Sequence, residues 1–570
     1  PTPTPTLRPG ETPKPTPTPT ATTAVPTPTP TSTPTAVPTP TFTPRPTAVA
    51  VPTSTPTPPQ PVKPSGSLVY AYSGIGAPGY IPSREDTIPM LLSMNTFKES
   101  LFYDNGSGPK PMLAESWSTS ADGKSWTFKL KKGIKWHDAE YGDVTAEDLI
   151  YSFQDAAIDT SRNVAAYMWR RITKYDSPDP YTLTISTDQP YNDLMTRLTY
   201  PYMGQLLVSS KKQRDKLGAD GQAAHPTGTG AFRFVEFKTG EYLRVEAVEN
   251  HWRKTPEAQR LTIMEVPEEI TRLALLLTGK ADIAQISITQ LDALKGPNVK
   301  VISKPGGGSF FSYYGGLYLK SREGWAGNSS PWVGDYDNPT SWENAKKVRY
   351  AMSLAINRQQ IVDTVFKGHG KPLVHRKWIG ASQPPVSAKP DDYNPTLAKQ
   401  LLAEAGVPKG YKITYRTSSD RPVPMNPQVA EAVAGYWRDV GFNVEMAVTT
   451  YAAVRPLVVG RKLTGHDMYQ HNFGVTVSPE LSWTDSTVTF PPYEVPWFES
   501  RVSKMLSETD QAKLAAWNKE ALQYELDNHL ELEIVEMDLI QPIGSKIASW
   551  ELSGFDPVLG WELWNIKMAK

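Results

Sequence analysis

Three runs of sequence decide the fold: MLAESW at 112–117, DGKSWTFKLKKGIKWHD at 122–138 and TAED at 145–148. Residues 125–130 of the second run alternate apolar and polar side chains, which predicts a half-buried β-strand followed by a turn at Lys132-Gly133. Thr145 stands three residues before an acid, Asp148, and ahead of an apolar stripe, which is typical of a capped helix start. The three runs therefore predict a strand and a helix within one α/β unit.

Further strands and helices alternate on both sides of these runs. Each is predicted from its apolar periodicity and its punctuation by Gly, Pro or Asn. The predicted strands are 67–72, 232–237, 242–248 and 442–448; the predicted helices are one long helix at 343–366, one that starts at Asn394-Pro395 and ends at Gly406, and one at 427–440. This mixed order predicts an α/β protein with more than one sheet.

The first 64 residues have a composition of their own, with 22 Pro and 21 Thr. So few apolar side chains cannot offset the entropy of ordering, and alternating Pro holds a chain near polyproline II. We therefore predict a disordered, extended tether over residues 1–64. Because the sequence opens on Pro1 without Met, we also expect a signal or membrane anchor to have stood upstream.

The composition excludes several classes of protein. A chain of 570 residues predicts two or more domains. Its 59 basic and 59 acidic residues argue against nucleic-acid binding by phosphate neutralisation. The absence of cysteine excludes disulfides, thiolate metal sites and cysteine nucleophiles. The sequence contains no run of about 18 apolar residues, the length that a membrane-spanning helix needs, so no such helix is predicted.

Catalytic and cofactor motifs are weak. GIGAPG at 74–79 matches a dinucleotide fingerprint, but Pro78 and Pro82 forbid the helix that would meet the pyrophosphate, so a loop is predicted instead. The polar residues of 137–143 offer only one imidazole and no helical ligand spacing, which favours a solvated turn over a metal site; they are His137, Asp138, Glu140 and Asp143. We predict no cofactor, no metal and no catalytic residue.

Aromatic residues supply the candidate binding surface. They crowd a glycine-rich stretch after residue 305 and recur in later segments rich in Pro or Gly, where rings on loops would offer flat faces for stacking. For each residue, burial in the core is the alternative. The candidate ligand contacts are Tyr72, Phe310, Phe311, Tyr313, Trp325, Trp378, Phe473, Thr476 and Trp483.

The three opening runs resemble the signature of family 5 extracellular solute-binding proteins, the peptide- and nickel-type binding proteins of ATP-binding-cassette importers. Three further blocks agree in the family's order. They are GTGAFRF at 228–234, VRYAMSLAINR at 348–358, and YNP at 393–395 with LLAEAG at 401–406. Together the four blocks extend over most of residues 66–570, and the tether lies outside the resemblance.

The resemblance implies a two-lobed, type II periplasmic-binding-protein fold of the large cluster, with an extra subdomain in lobe one. Lobe one would hold residues 65–302 with a returning segment 541–570, and lobe two residues 303–540. A solute held between the lobes would shift them toward a closed state that membrane permease subunits recognise. The implied protein is an extracytoplasmic monomer, not an enzyme. A secreted carbohydrate-active enzyme with a Pro/Thr stalk is the alternative.

One departure from the family concerns ligand charge. Peptide-binding relatives hold the ligand ammonium with an Asp in a lobe-two loop, because a buried charge needs a partner. The matching stretch here is HNFGVTVSP at 471–479, with Phe473 at the aromatic place and Thr476 near the acid's place. Unless Glu480 or Asp485 reaches in, a neutral solute such as an oligosaccharide fits better than a short peptide.

Overall fold

The computed structural model describes most of the chain after the tether. The described residues are 63–76, 79–84, 88–104, 109–163, 165–191, 194–200, 205–378, 384–418, 425–473, 493–552 and 562–570. The chain divides into two units, Pro1–Gln60 and Pro61–Lys570, and every described residue lies in the second. The prediction of disorder over residues 1–64 falls almost wholly outside the described part.

Strands provide the frame of the second unit. In chain order they are β1 (Ser65–Tyr72), β2 (Phe102–Tyr103), β3 (Lys110–Pro111), β4 (Ala114–Thr119), β5 (Ser125–Leu130), β6 (Ile172–Asp179), β7 (Thr182–Thr187), β8 (Thr199–Tyr200), β9 (Phe232–Lys238), β10 (Tyr242–Ala247), β11 (Ala258–Glu265), β12 (Ile283–Ala284), β13 (Val299–Tyr314), β14 (Gly370–Pro372), β15 (Lys412–Ser418), β16 (Asn443–Thr449), β17 (Asp467–Phe473), β18 (Leu532–Gly544), β19 (Ile547–Ser549) and β20 (Lys567–Met568).

Helices cover the strands. They are α1 (Ile88–Phe97), α2 (Ala146–Ala157), α3 (Ala166–Trp169), α4 (Leu194–Arg197), α5 (Lys211–Ala224), α6 (Glu269–Leu277), α7 (Pro339–Leu354), α8 (Arg358–Thr364), α9 (Pro395–Glu404), α10 (Asn426–Asp439), α11 (Tyr451–Val459), α12 (Pro496–Ser507) and α13 (Gln511–Asn528). The prediction of a single helix at 343–366 is wrong, because α7 ends at Leu354 and a second helix, α8, follows. Asn357 caps α8 by accepting a hydrogen bond from the Gln360 N–H at 3.0 Å.

One sheet of 11 strands runs through the whole second unit, in the order β16-β15-β17-β13-β18-β12-β1-β11-β10-β9, with β14 alongside β18. The long strands β13 and β18 pair antiparallel along most of their length and join its two halves. A separate four-stranded sheet has the order β4-β5-β7-β6. The α/β class with more than one sheet is therefore confirmed.

Separate hydrophobic cores lie on the two halves. Tyr70 and Phe232 belong to the core around β1 and β9–β11, and Phe128 centres the core of the four-stranded sheet. Phe310 and Trp437 belong to a third core beneath α7, α8 and α10. We call the first two cores with their elements the first lobe, and the third core with its elements the second lobe. The predicted boundaries at 302 and 540 fall inside β13 and β18, and division at those residues stays a prediction.

The sequence blocks that decide the fold hold the first lobe together. Helix α2 begins at Ala146 as predicted, and Asp148 accepts a hydrogen bond from the Thr145 N–H at 2.9 Å, closing the capping box. The turn before α2 is exposed at Asp138 and Glu140, as the sequence predicted, whereas His137 is partly buried. The His137 backbone N–H donates to Gly228 O at 2.9 Å, and its ring Nε2 donates to Gly230 O at 2.8 Å. Two of the family blocks thus dock against each other.

The acids that follow His137 do not converge on a metal site. Asp143 pairs with Lys135 at 3.0 Å, and Glu140 pairs with Lys216 at 2.5 Å, so each meets a separate cation. The imidazole is already committed to a backbone carbonyl. These ion pairs stabilise the turn before α2, and they account for both acids without a bound metal.

The pH dependence of stability should report the environment of His137. Because Nε2 donates to a carbonyl, a second proton would sit on Nδ1, which is buried and has no partner among the described residues. Burial accordingly lowers the pKa of His137 to about 4. The unfolded chain takes up this proton near its ordinary value of about 6.5 and the folded chain does not, so stability is lost as pH falls from about 6.5 to about 4.

Urea unfolding at several pH values measures that loss. The contribution of His137 should amount to about 3.5 kcal/mol between the two limits, at about 1.4 kcal/mol per pKa unit. His137→Gln keeps an amide donor but does not titrate, so its stability should fall less steeply over the same pH range. Parallel curves for the two proteins would contradict this account.

Hydropathy sets one further limit on the described part. Among the described residues, no helix is both long enough and apolar enough to cross a membrane.

Candidate functional site

The carboxyl ends of two sets of parallel strands face each other across β13 and β18. In the first lobe β1 runs parallel to β11 and β12, and in the second lobe β15 runs parallel to β16 and β17. Strand β12 is antiparallel to β18, and β17 is antiparallel to β13, so both sets point toward the junction of the lobes. Ligands of open α/β sheets bind outside the carboxyl ends of strands, which makes this junction the candidate site.

Polar groups line the first-lobe side of the junction, just beyond the strand ends. Gln285, after β12, accepts a hydrogen bond from the Ser73 N–H at 3.1 Å. Glu265, the last residue of β11, accepts one from the Ile75 N–H at 3.4 Å. Glu265 is therefore an acid at the site that the sequence analysis missed; a Glu at the end of an alternating strand is indistinguishable in sequence from a surface Glu.

The second-lobe side presents buried polar atoms that have no partner within the described part of the chain. Thr417 and Ser418, at the end of β15, are fully buried, and their hydroxyls have no hydrogen-bond partner among the described residues. Asn426, at the start of α10, donates from Nδ2 to Asn472 Oδ1 at 2.8 Å, whereas its Oδ1 lacks a described partner. Buried polar atoms are normally satisfied, so these atoms are suited to a polar ligand or to segments 419–424 and 474–492, which lie outside the described residues.

The aromatic stretch after residue 305 is a strand, not the predicted loop. Phe310 points into the second-lobe core, with its ring 5.1 Å from that of Phe366, so it has no surface to offer a solute. Phe311 and Tyr313 point to the opposite face, where they are also buried and pack near His471 at 5.7 and 5.8 Å. The strand corrects the expectation of loop aromatics, and for these three residues burial is the alternative that the structure shows; a role in binding stays a prediction.

The other predicted contacts are scattered. Tyr72 is buried at the end of β1, with its ring 5.5 Å from that of Tyr70. Trp325 and Trp378 are half-buried, the first beneath Lys320 Nζ at 5.4 Å and the second edge-on to His375 at 5.3 Å.

Three predicted contacts lie at or beyond the limit of the described residues. Phe473 ends β17, paired with Ser309 at the junction of the lobes, and its side chain is not described. Thr476 and Trp483 lie outside the described residues. A role for each in binding stays a prediction.

A buried network of charges lies in the second lobe, next to Phe311. Lys377 donates to both carboxylate oxygens of Glu525, at 2.7 and 3.0 Å, and Arg376 donates to Glu531 at 2.7 Å. The Arg376 guanidinium also lies 4.9 Å from the centre of the Phe311 ring. The network ties residues 375–377 to α13 and to the start of β18.

The protonation states of the network follow from burial and pairing. Burial lowers the pKa values of His375 and Lys377. Burial alone would raise the pKa of Glu525, but the Lys377 ammonium and the adjacent His375 ring prevail and lower it. Burial, with the nearby charge of Glu531, raises the pKa of Glu533 well above its ordinary value. Neutral His375 and Glu533 thus accompany two ion pairs, and the network as a whole carries no net charge.

His375, Glu525 and Glu531 hold ligand atoms within 4.8 Å of one another, which is the donor set of a metal site. Lys377 and Arg376 already neutralise the two carboxylates. His375 Nδ1 accepts the Lys377 N–H at 3.2 Å, so Nε2 carries the proton and faces Glu525 at 2.9 Å. A metal would have to displace both the ammonium and this proton, and the donors fit an ion network instead.

A cavity of about 370 Å³ borders the network. Tyr350 and His529 stack in its wall with ring centres 4.6 Å apart, and Asp391 accepts a hydrogen bond from the Ser353 hydroxyl at 2.5 Å. Every lining residue lies between 350 and 533, so the cavity is internal to the second lobe and distinct from the junction.

Comparison with known proteins identifies the family. Residues 108–501 match the profile described as "Bacterial extracellular solute-binding proteins, family 5 Middle". The chain belongs to this family. The resemblance stated from the sequence is confirmed.

Individual relatives agree with this assignment. The glutathione-binding protein GsiB of Salmonella paratyphi A is 27% identical over 341 residues, which cover 58% of this chain and 60% of that protein. Heme-binding protein A of Haemophilus influenzae is 27% identical over 438 residues, 70% of this chain and 74% of the relative. The chain thus matches only about 60% of the length of GsiB.

The fold also has solved counterparts. The periplasmic binding protein DppA from Helicobacter pylori, in complex with the peptide STSA, superposes with a TM-score of 0.69 at 21% identity, covering 89% of this chain and 98% of that one. At this identity the likeness concerns the fold alone. The two-lobed periplasmic-binding-protein fold predicted from the sequence is confirmed.

Proposed function

We propose that this family 5 solute-binding protein captures a small polar solute outside the cytoplasm and delivers it to the permease of an ATP-binding-cassette importer, without chemical change. The proposal rests on one observation: the carboxyl ends of the parallel strands of both lobes point toward one junction, and polar groups lie on each side of it. A solute there contacts both lobes only when they are closed, so binding shifts the population toward the closed state.

The solute class follows from the polar groups at the junction. On the second-lobe side they are hydroxyls and an amide, which suit the hydroxyls of an oligosaccharide. On the first-lobe side Glu265 supplies one carboxylate, which would pair with the ammonium of a peptide. By the family resemblance, Thr476 falls near the place of the acid that holds the ammonium in peptide-binding relatives. We propose that a neutral, hydroxyl-rich solute binds at least as well as a short peptide.

Isothermal titration calorimetry with defined probes tests this proposal. The probes are maltopentaose, trialanine and N-acetylated trialanine. We expect maltopentaose to bind the unaltered protein at least as tightly as trialanine. Thr476→Asp should strengthen binding of trialanine by roughly ten-fold or more, about 1.4 kcal/mol, and leave the acetylated peptide unaffected.

The contrary result is equally specific. Tight binding of trialanine that is lost on acetylation, and lost again in Glu265→Gln, would assign ammonium recognition to the first lobe and overturn the preference for a neutral solute. Mass spectrometry of the recovered probes tests the absence of chemistry. If the pure protein shortened the glycan or the peptide, the proposal that the solute is delivered without chemical change would be overturned.

A further inference from the structure

A glycine in a surface turn of the first lobe is covered by the second lobe. Gly123 is buried although its neighbours Asp122 and Lys124 are exposed. An ideal Cβ placed on Gly123 would lie 2.5 Å from the Thr509 Cγ2 methyl and 3.1 Å from Pro190 Cβ. Thr509 belongs to the connection between α12 and α13. Both helices are part of the second lobe, because Val502 of α12 and Leu522 of α13 are buried in its core.

The turn that carries Gly123 is held rigidly. Gly123 has φ of 68°, a left-handed conformation that favours glycine, and its N–H donates to Ser120 O at 2.9 Å. Asp122 Oδ1 accepts from the Ser120 hydroxyl at 2.5 Å and from the Lys124 N–H at 3.1 Å. The turn joins β4 to β5, and β5 belongs to the Phe128 core, so its position is fixed by the first lobe.

The opposing segment is fixed in the same way by the second lobe. Glu508 Oε1 accepts the N–H groups of Thr509 and Asp510, each at 3.0 Å. Asp510 in turn caps α13 by accepting from the Ala512 and Lys513 N–H groups at 2.9 and 3.1 Å. Two rigid segments meet here, so their close fit defines one relative position of the lobes.

We propose that the Gly123 turn and Thr509 form a closure contact, which positions the lobes for solute capture. It rests on the proposed function, since closure matters only to a protein that encloses its ligand. The contact lies outside β13 and β18, which join the lobes at the junction, so rotation about those strands separates Gly123 from Thr509. The absence of a side chain at residue 123 is what lets the two surfaces touch.

Distance measurement between the lobes tests the contact without any ligand. The chain has no cysteine, so Ser118→Cys and Lys519→Cys, at exposed positions on β4 and α13, accept one spin label each. We expect Gly123→Ala to lengthen the inter-label distance measured by pulsed electron paramagnetic resonance. Adding Thr509→Ser, which removes the Cγ2 methyl, should restore the distance of the labelled parent.

Gly133→Ala is the matched control. Gly133 lies in the same subdomain with φ of 77°, and an ideal Cβ there meets nothing within 4 Å. It therefore carries the same backbone strain without the contact, and its inter-label distance should equal that of the parent. Equal distances in Gly123→Ala and Gly133→Ala would overturn the proposal.

A disulfide provides a second test. Gly123→Cys with Thr509→Cys should cross-link under mild oxidation, whereas Gly133→Cys with Thr509→Cys should not. Failure of the first pair, with both thiols reactive toward a maleimide, would also overturn the contact. Neither failure touches solute binding itself, which calorimetry measures separately.

Discussion

Replacing Lys377 by methionine should lower the free energy of unfolding by about 3–5 kcal/mol, the cost of breaking a buried ion pair by removing one partner. Lys377 and Glu525 are both nearly inaccessible, with side-chain exposures of 0% and 2%. Without the ammonium, the buried Glu525 carboxylate loses its ion-pair partner and keeps neutral neighbours, among them the His375 imidazole and the Tyr493 hydroxyl. Urea unfolding at neutral pH, analysed from midpoint and slope, gives the difference directly.

Two further variants separate burial from charge. Lys389→Met removes an ion pair with Asp392 in which both side chains are largely exposed, at 77% and 79%, and should cost less than about 1 kcal/mol. Adding Glu525→Gln to Lys377→Met removes the uncompensated charge and should recover part of the loss. If Lys377→Met cost no more than Lys389→Met, the network would not hold residues 375–377 in place.

This network shows what the sequence does not reveal. His375, Arg376 and Lys377 are adjacent in the chain, but their partners Glu525 and Glu531 lie about 150 residues further on. In sequence each is an ordinary charged residue. Only the packing of α13 and the start of β18 against residues 375–377 takes them out of water, and no periodicity or spacing encodes that packing.

Local signals predicted the local structure well. The Thr145-x-x-Asp148 spacing predicted the start of α2, and Asn394-Pro395 predicted the start of α9. The long helix was wrong because the apolar period continues past the break, although Asn357, a favoured N-cap residue, was a usable signal. Strand β13 was mistaken for a loop because its glycines suggested turns, whereas both faces of its second half, residues 306–314, are buried.

The candidate site was the least predictable part. The junction arises from the order of strands in a sheet, and that order depends on pairings between residues hundreds of positions apart. Glu265 and Ser418 gain their place only from being last in parallel strands. The sequence predicted that aromatic residues cluster here. It could not predict which of them pack in which core, because that depends on the face of β13 on which each side chain lies.

Replacing Gly307 by alanine should be the most damaging small change in the sheet. The pairing of β13 with β18 shifts register between Lys304 and Gly308, and Gly307 lies inside that irregularity. An ideal Cβ on Gly307 would collide with the backbone of the facing strand, at Leu539 N and at 2.5 Å from Asp538 C. Backbone atoms cannot rotate away as a side chain does. An added methyl group would therefore force β13 and β18 apart, and these are the strands that connect the two lobes.

The expected cost is at least about 3 kcal/mol of unfolding free energy, the upper part of the range for overpacking a well-packed interior. Gly296→Ala is the control, since Gly296 is exposed and an ideal Cβ there meets nothing within 4 Å. The spin-label pair on residues 118 and 519 distinguishes this effect from loss of the closure contact. Gly123→Ala should change the inter-lobe distance with little loss of stability beyond that of Gly133→Ala, whereas Gly307→Ala should lower stability first. A Gly307→Ala protein as stable as Gly296→Ala would mean that the two strands are not held in this register.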